Sequence, residues 1–451
     1  MRNGMNAPSI SPRRRRDIID ALRRGTVPQR GLDVMAVGLG RFEGAIDEEL
    51  GAVGDGGAHF KAVRGEYGSG KTFFSRWLIE RAKKASFATA EIQISETETP
   101  LHKLETVYRR VTESLATSES LSGAFGDVID NWFHVLQSDA EAGGVDPQDV
   151  EMVERATSDL LEQRLASVTD KAPAFAAALR GYRHAALHND RSQADGLLAW
   201  LGGQPHVAAS IRRAAGIRGE LDHFGALGFL QGLLTVLRDS DYRGLVVVLD
   251  EVETLQRVRS DVREKSLNAL RQLADEIDGG RFPGLYLVMT GTPAFFDGPQ
   301  GVKRLPPLAQ RLDVDFSMDP RYDNPRAPQI RLGGFSHDSL LELGSRVRDI
   351  FVQGISDSDR VRRVVDDRYI AGLADAIAGD LGGKVGVAPR LFLKKLIDVL
   401  DRVELHVEFD PRRDYHLKVA RDELTDVERA ATTLGDAVAG NRKLPHMTDV
   451  E

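Results

Sequence analysis

Gly65-Glu66-Tyr67-Gly68-Ser69-Gly70-Lys71-Thr72 is the segment whose residue types and spacing point most directly to chemistry. Its glycines let backbone N–H groups converge on an anion with no Cβ in the way. A β-type run, Phe60 to Arg64, leads into it, and a helical pattern runs from Phe73 to Lys83. The anion therefore also meets the positive end of a helix. In such a loop the Lys71 ammonium bridges the β- and γ-phosphates of a nucleotide, and the Thr72 hydroxyl ligates Mg²⁺. The expected ligands are ATP and Mg²⁺, on residues 65–72 with Phe73 next to them.

The partner of such a loop is an acidic residue ending a buried strand. Leu245-Val246-Val247-Val248-Leu249 is a continuous apolar run, and Asp250-Glu251 follows it directly. Asp250 is expected to hold Mg²⁺ through water, and Glu251 to polarise the attacking water. Two carboxylates at a strand end can also serve solubility alone; the phosphate loop upstream favours the catalytic reading.

Further candidates follow. The next apolar run ends Met289-Thr290-Gly291-Thr292-Pro293, where a hydroxyl would sense the γ-phosphate. Thr292 is the first choice and Thr290 the second, although both can simply cap the turn before Pro293. Arg311 comes after this strand and would supply positive charge to a neighbouring subunit's γ-phosphate, a surface salt bridge being the competing explanation. Arg390, one residue past Pro389, would close a helical domain over the nucleotide. His184 and His188 stand one helical turn apart without the carboxylate motif of a zinc site, and read as a solvated pair.

These residues need a scaffold, and the pattern supplies one. Five β-type runs (Phe60 to Arg64, Thr89 to Ile94, Leu245 to Leu249, Leu285 to Met289, Gln329 to Leu332) alternate with helical stretches. That alternation predicts an α/β fold with a parallel five-stranded sheet flanked by helices. The expected division is a basic arm or helix over 1–30, a nucleotide-binding domain over 31–334, a helical domain over 335–405 and a polar tail over 406–451. Residues 100–240, between the second and third strands, read as a large helical insertion. Leu393, Leu396, Ile397, Leu400 and Val403 form one apolar face after Pro389, and the tail offers one helix near Asp426 to Leu434.

Composition sets limits. The 451 residues carry 60 Lys+Arg against 68 Asp+Glu, for a net charge of −8, and contain no cysteine. Disulfides, thiolate metal sites and cysteine nucleophiles are excluded. No apolar run is long enough to span a membrane, and the N-terminal basic residues precede no apolar stretch, so the expectation is a cytoplasmic protein without a membrane partner. Residues 1–30 hold eight Arg, four of them consecutive at Arg13 to Arg16, against Asp17 and Asp20. Such an arm can meet a polyanion such as DNA, or be a solvated extension.

The motifs, in this order, resemble the AAA+ branch of P-loop ATPases, particularly the origin-recognition-like group. By that resemblance Asp250-Glu251 is the hydrolytic pair, Thr292 the first sensor, Arg311 the arginine finger and Arg390 the second sensor in the lid. Ala36-Val37-Gly38-Leu39-Gly40-Arg41-Phe42-Glu43 is similar to the segment that packs on the adenine, which assigns Val37 and Gly38 to the nucleotide. The implied sheet order is 5-1-4-3-2, followed by a small helical lid. More narrowly, Arg13 to Gly31, the loop VRGEYGSGKTFF and DYRGLVVVLDEVETL resemble the BrxD family of ATP-binding proteins of bacteriophage exclusion (BREX) defence systems. The implied role is a homo-oligomeric ATPase working on or with DNA, alongside a helicase, a methyltransferase and a phosphatase-like protein. Threonine replaces the commoner asparagine at the first sensor, and the insertion makes the Lys71–Asp250 separation far longer than a minimal domain needs. A slow-turnover nucleotide switch that recruits partners is the alternative. A helicase-type motor would carry arginine-rich motifs after the acidic strand, and none is found.

Overall fold

A computed structural model describes residues 10–169, 172–380 and 389–417. The five apolar runs are strands: β1 (His59–Arg64), β2 (Phe87–Gln93), β3 (Gly244–Asp250), β4 (Leu285–Gly291) and β5 (Gln329–Arg331). All pair in parallel, in the order β2-β3-β4-β1-β5. This is the 5-1-4-3-2 sheet that the resemblance implies. Every residue of β3 and β4 is buried, which is why their sequences are unbroken apolar runs rather than alternating ones.

Before β1 come α1 (Pro12–Arg23), α2 (Leu32–Met35) and α3 (Gly40–Gly54), and α4 (Lys71–Lys84) links β1 to β2. Between β2 and β3 the described residues form α5 (Leu104–Ser114), α6 (Phe125–Ala142), α7 (Val150–Thr169), α8 (Pro173–Leu187), α9 (Arg191–Leu201), α10 (Ala209–Ala214) and α11 (His223–Asp239). Then come α12 (Ser260–Asp278), α13 (Pro293–Asp297) and α14 (Pro306–Arg311). After β5 follow α15 (His337–Val352), α16 (Ser358–Val364), α17 (Asp367–Asp380), α18 (Pro389–Leu405) and α19 (Pro411–Asp414). The helix expected near Asp426 to Leu434 lies outside the described residues. Among the described residues no helix is long and apolar enough to cross a membrane.

The chain divides into two compact units. The larger, Phe42–Arg64 with Arg81–Arg331, holds the whole sheet and the helical insertion. Val247 and Leu249 of β3 and Leu285 and Leu287 of β4 meet Val107 of α5, Leu230 of α11 and Leu273 of α12 on one face of the sheet. The insertion belongs to this same core: Trp132, Phe175 and Leu201 are buried in it, and Trp132 Nε1 donates to Asp239 at 2.7 Å. Helical spacing of Leu197, Trp200 and Leu201, and of Leu230, Leu234 and Leu237, supplies the buried stripes.

The smaller unit comprises Met1–Arg41, Gly65–Glu80 and Leu332–Glu451. Its core joins Ile18, Ile19 and Leu22 of α1 to Leu343, Val347 and Ile350 of α15 and to the predicted stripe of α18. The basic N-terminal segment is thus a packed helix from Pro12 onward, not a solvated extension. Three of its arginines are engaged locally: Arg14 pairs with Asp33 and, at 3.0 Å, with Glu80, and Arg15 Nε donates to the carbonyls of Ile350 and Phe351 at 3.2 and 2.9 Å, satisfying the C-terminal end of α15. Arg23 forms a two-pronged pair with Asp401 at 2.8 Å for each bond.

Candidate functional site

The phosphate loop lies in the smaller unit and begins at the residue after β1. Gly68 and Gly70 adopt φ values of +79° and +89°, a left-handed backbone that glycine takes without penalty. A Cβ on Gly65 would come within 2.2 Å of Ser69 Oγ, so the turn closes only because that side chain is absent. Lys71 is buried and folds back over the loop. Its Nζ donates to the carbonyls of Gly65 and Glu66 at 2.9 and 3.2 Å and stands 5.0 Å from the Tyr67 ring centre. Ser69 Oγ is buried without a hydrogen-bond partner. A backbone cradle and the orphaned Ser69 hydroxyl fit a polyphosphate, whose oxygens would accept from both, with the Lys71 ammonium beside them. Phe73 and Val37 pack against the helical core of the same unit. Gly38 has φ +75° and open space where a Cβ would be, and the Ala36 carbonyl accepts from Arg346 Nη1 at 2.6 Å.

The acidic pair ends β3 in the larger unit. Asp250 is buried, and its Oδ1 accepts from the Glu251 amide at 3.0 Å and from the Thr290 hydroxyl. Glu251 takes φ 58° and ψ 40°, a left-handed conformation that costs a side-chain-bearing residue about 1–3 kcal/mol. Its Oε2 accepts a 2.8 Å bond from Gln93 Nε2. Parallel pairing sets Gln93 opposite Asp250 at the carboxyl ends of β2 and β3, so the amide and the carboxylate leave the sheet side by side.

The remaining candidates part company. Thr290 touches Asp250, whereas Thr292 is the N-cap of α13, buried and without a side-chain capping bond. The second-choice threonine is therefore the one beside the acidic residue. Arg311, last residue of α14, pairs with Asp275 at 2.7 Å and Asp278 at 3.4 Å on α12, and its Nη1 is buried without a partner. Arg390 sits in the first turn of α18, its Nη1 3.6 Å from where a Cβ on Gly25 would stand. The imidazoles of His184 and His188 stack with centres 4.2 Å apart, and His188 Nδ1 lies 2.8 Å from the His184 carbonyl. No group of three metal-binding side chains exists among the described residues.

Sequence reasoning missed Gln93. Its only local signal is a polar residue ending a strand, which many strands share.

Residues 10–419 match the family model described as BREX system ATP-binding protein BrxC/D. No curated protein matches the sequence at a significant level.

Proposed function

This chain belongs to the BREX system ATP-binding protein family BrxC/D, and on that premise we propose that it is a Mg²⁺-dependent ATPase acting as a homo-oligomer on DNA. ATP binding and a role in BREX defence come with the family. Hydrolysis is inferred from the anchoring of Glu251. The residue after the buried Asp250 is held in a strained backbone with its carboxylate fixed by Gln93.

In this reading Lys71 exchanges the Gly65 and Glu66 carbonyls for phosphate oxygens. Thr72 and Asp250 hold Mg²⁺, which when bound neutralises charge on the phosphates. Thr290 keeps Asp250 Oδ1 in place. Glu251 accepts the proton of the attacking water as ADP and phosphate form. Arg390 works within its own chain, and Arg311 serves the nucleotide of a neighbouring copy. To do so it must leave Asp275 and Asp278, a cost of about 0–1 kcal/mol for such half-exposed pairs. The helicase, methyltransferase and phosphatase-like proteins of the defence system are the proposed partners.

A slow nucleotide switch is the second reading. It is favoured by two engagements: Gln93 occupies one oxygen of Glu251, and Arg311 is already paired within the chain. Two variants decide. Lys71→Ala should abolish ATP binding or weaken it severely, and unchanged affinity refutes the loop. Glu251→Gln should keep binding and lose turnover, because an amide cannot take the proton. Wild-type turnover that is no faster than that of Glu251→Gln, with and without duplex DNA, selects the switch.

A further inference from the structure

The helical insertion carries a cluster of arginines that pair with no carboxylate. Residues 183–218 contain five Arg, no Lys, and only Asp190 and Asp195 as acids, in a chain whose net charge is −8. Arginines on flanking helices are neutralised: Arg110 by Glu113, Arg164 by Asp139 and Arg180 by Glu162. By contrast, Arg191, Arg212, Arg213 and Arg218 make no ion pair among the described residues.

Local packing gathers these four together. Gln193 Nε2 donates to the Ile211 carbonyl at 2.8 Å, which ties α10 to the first turn of α9, where Arg191 stands. A Cβ on Gly196 would come within 2.5 Å of Ile211 Cδ1, so glycine is what lets α10 approach α9. Arg212 links the two ends of α10, its guanidinium bonded to the carbonyl of Val207 before the helix, at 3.2 Å, and to that of Gly219 in the loop after it. That link brings Arg218 beside Arg212, and the buried Ile217 seats the loop. Arg191, Arg213 and Arg218 are exposed. Gly216 and Gly219 have open space where a Cβ would be, so backbone can also be approached there.

The nearby acids do not cancel this charge. Asp190 is used as the cap of α9, accepting from the Gln193 amide at 3.0 Å, and Asp195 is exposed one turn along α9. Glu220 follows Arg218 without an ion pair among the described residues. The single Trp, Tyr or Phe between residues 183 and 218 is Trp200, which is buried. The surface therefore offers guanidinium groups and small backbone, but no exposed tryptophan, tyrosine or phenylalanine between residues 183 and 218 on which an unpaired base could stack.

We propose that Arg191, Arg213 and Arg218, with Arg212 holding their loop, form a docking surface for the phosphate backbone of duplex DNA. Guanidinium forks match phosphate oxygens, and contacts of this kind position a duplex without reading its sequence. The proposal rests on the DNA reading above and names the face that carries it, in place of the N-terminal segment whose Arg15 and Arg23 are engaged in packing.

Fluorescence anisotropy of a labelled duplex with the full chain, over a range of salt, tests this. Arg191→Gln, Arg213→Gln and Arg218→Gln combined should weaken binding about tenfold or more and reduce the salt slope by about 3. The same three positions changed to Lys should keep most of the affinity, which separates charge from misfolding. Affinity for a fluorescent ATP analogue should be unchanged in both. Wild-type DNA binding and salt slope in the Gln triple overturns this surface and leaves the DNA reading standing. A Lys triple as weak as the Gln triple overturns the role of phosphate charge. No salt-dependent binding by the wild type overturns the surface and the DNA reading together, while ATP affinity reports on the nucleotide site by itself.

Discussion

Gln93 and Glu251, 158 residues apart, are joined by a 2.8 Å hydrogen bond from the Gln93 amide to the Glu251 carboxylate. The bond spans adjacent strands, because β2 ends opposite the residue that precedes Glu251. It gives the proposed base a fixed direction.

Removing that direction should be costly. Gln93→Ala is expected to lower kcat for ATP about tenfold with little change in ATP affinity, since small misplacements of a reacting group cost one to two orders of magnitude. Steady-state turnover alongside equilibrium nucleotide binding checks it. A higher kcat would mean that Gln93 restrains Glu251 rather than aims it.

The two threonines can be separated. Thr290→Val removes the hydroxyl that fixes Asp250 Oδ1 and leaves a buried acceptor short of a donor, a loss of about 1–3 kcal/mol. Mg²⁺-dependent nucleotide affinity should fall about tenfold or more in that variant. Thr292→Val should leave Mg²⁺-dependent affinity within about twofold. Titrations with Mg²⁺ present and absent measure both, and the reverse pattern would restore Thr292 as the more important hydroxyl.

Arg311→Ala should retain ATP binding and lose turnover. Its pairs with Asp275 and Asp278 are half-exposed, so stability should drop by no more than about 1 kcal/mol. Mixing this variant with Glu251→Gln should recover some activity, because certain interfaces then combine an intact Glu251 with an intact Arg311. Absence of rescue at every mixing ratio, with assembly intact, would favour the switch reading.

A fourth expectation concerns the sheet. Lys61 is fully buried, 2.7 Å from Glu49 Oε1, and its Nζ also donates to the carbonyls of Pro325 and Ala327 at 2.9 and 3.1 Å. Lys61→Ala strands the Glu49 charge and should cost about 3–5 kcal/mol by denaturant unfolding. Burial works to raise the Glu49 pKa, but His59, Lys61 and Tyr286 together hold it below the usual 4.5. A depressed carboxyl stabilises the fold above its unfolded pKa and loses that contribution as pH falls through the folded one. Wild-type stability should therefore decline below about pH 4.5, and the decline should be shallower in Lys61→Ala.

The sequence by itself determined the strands, the phosphate loop and the acidic pair, because each is written in contiguous residues. An unbroken apolar run marks a strand covered on both faces, and glycine spacing marks a loop that must admit an anion. The helices of the insertion were legible for the same reason, as stripes at helical spacing. In the N-terminal segment the arginine run is the stronger local signal, whereas Ile18, Ile19 and Leu22 are the stripe that packs α1 into a core. The sequence reading put Thr292 ahead of Thr290, although residues two apart in an extended segment share a face. The end of β4 at Gly291 and its pairing in the sheet are what set Thr290, rather than Thr292, against Asp250. Gln93 beside Glu251, Arg311 against α12, and α9 against α10 through Gln193 and Ile211 are likewise properties of tertiary structure. Each joins residues whose spacing follows no period, and only the packing of strands and helices brings them within reach.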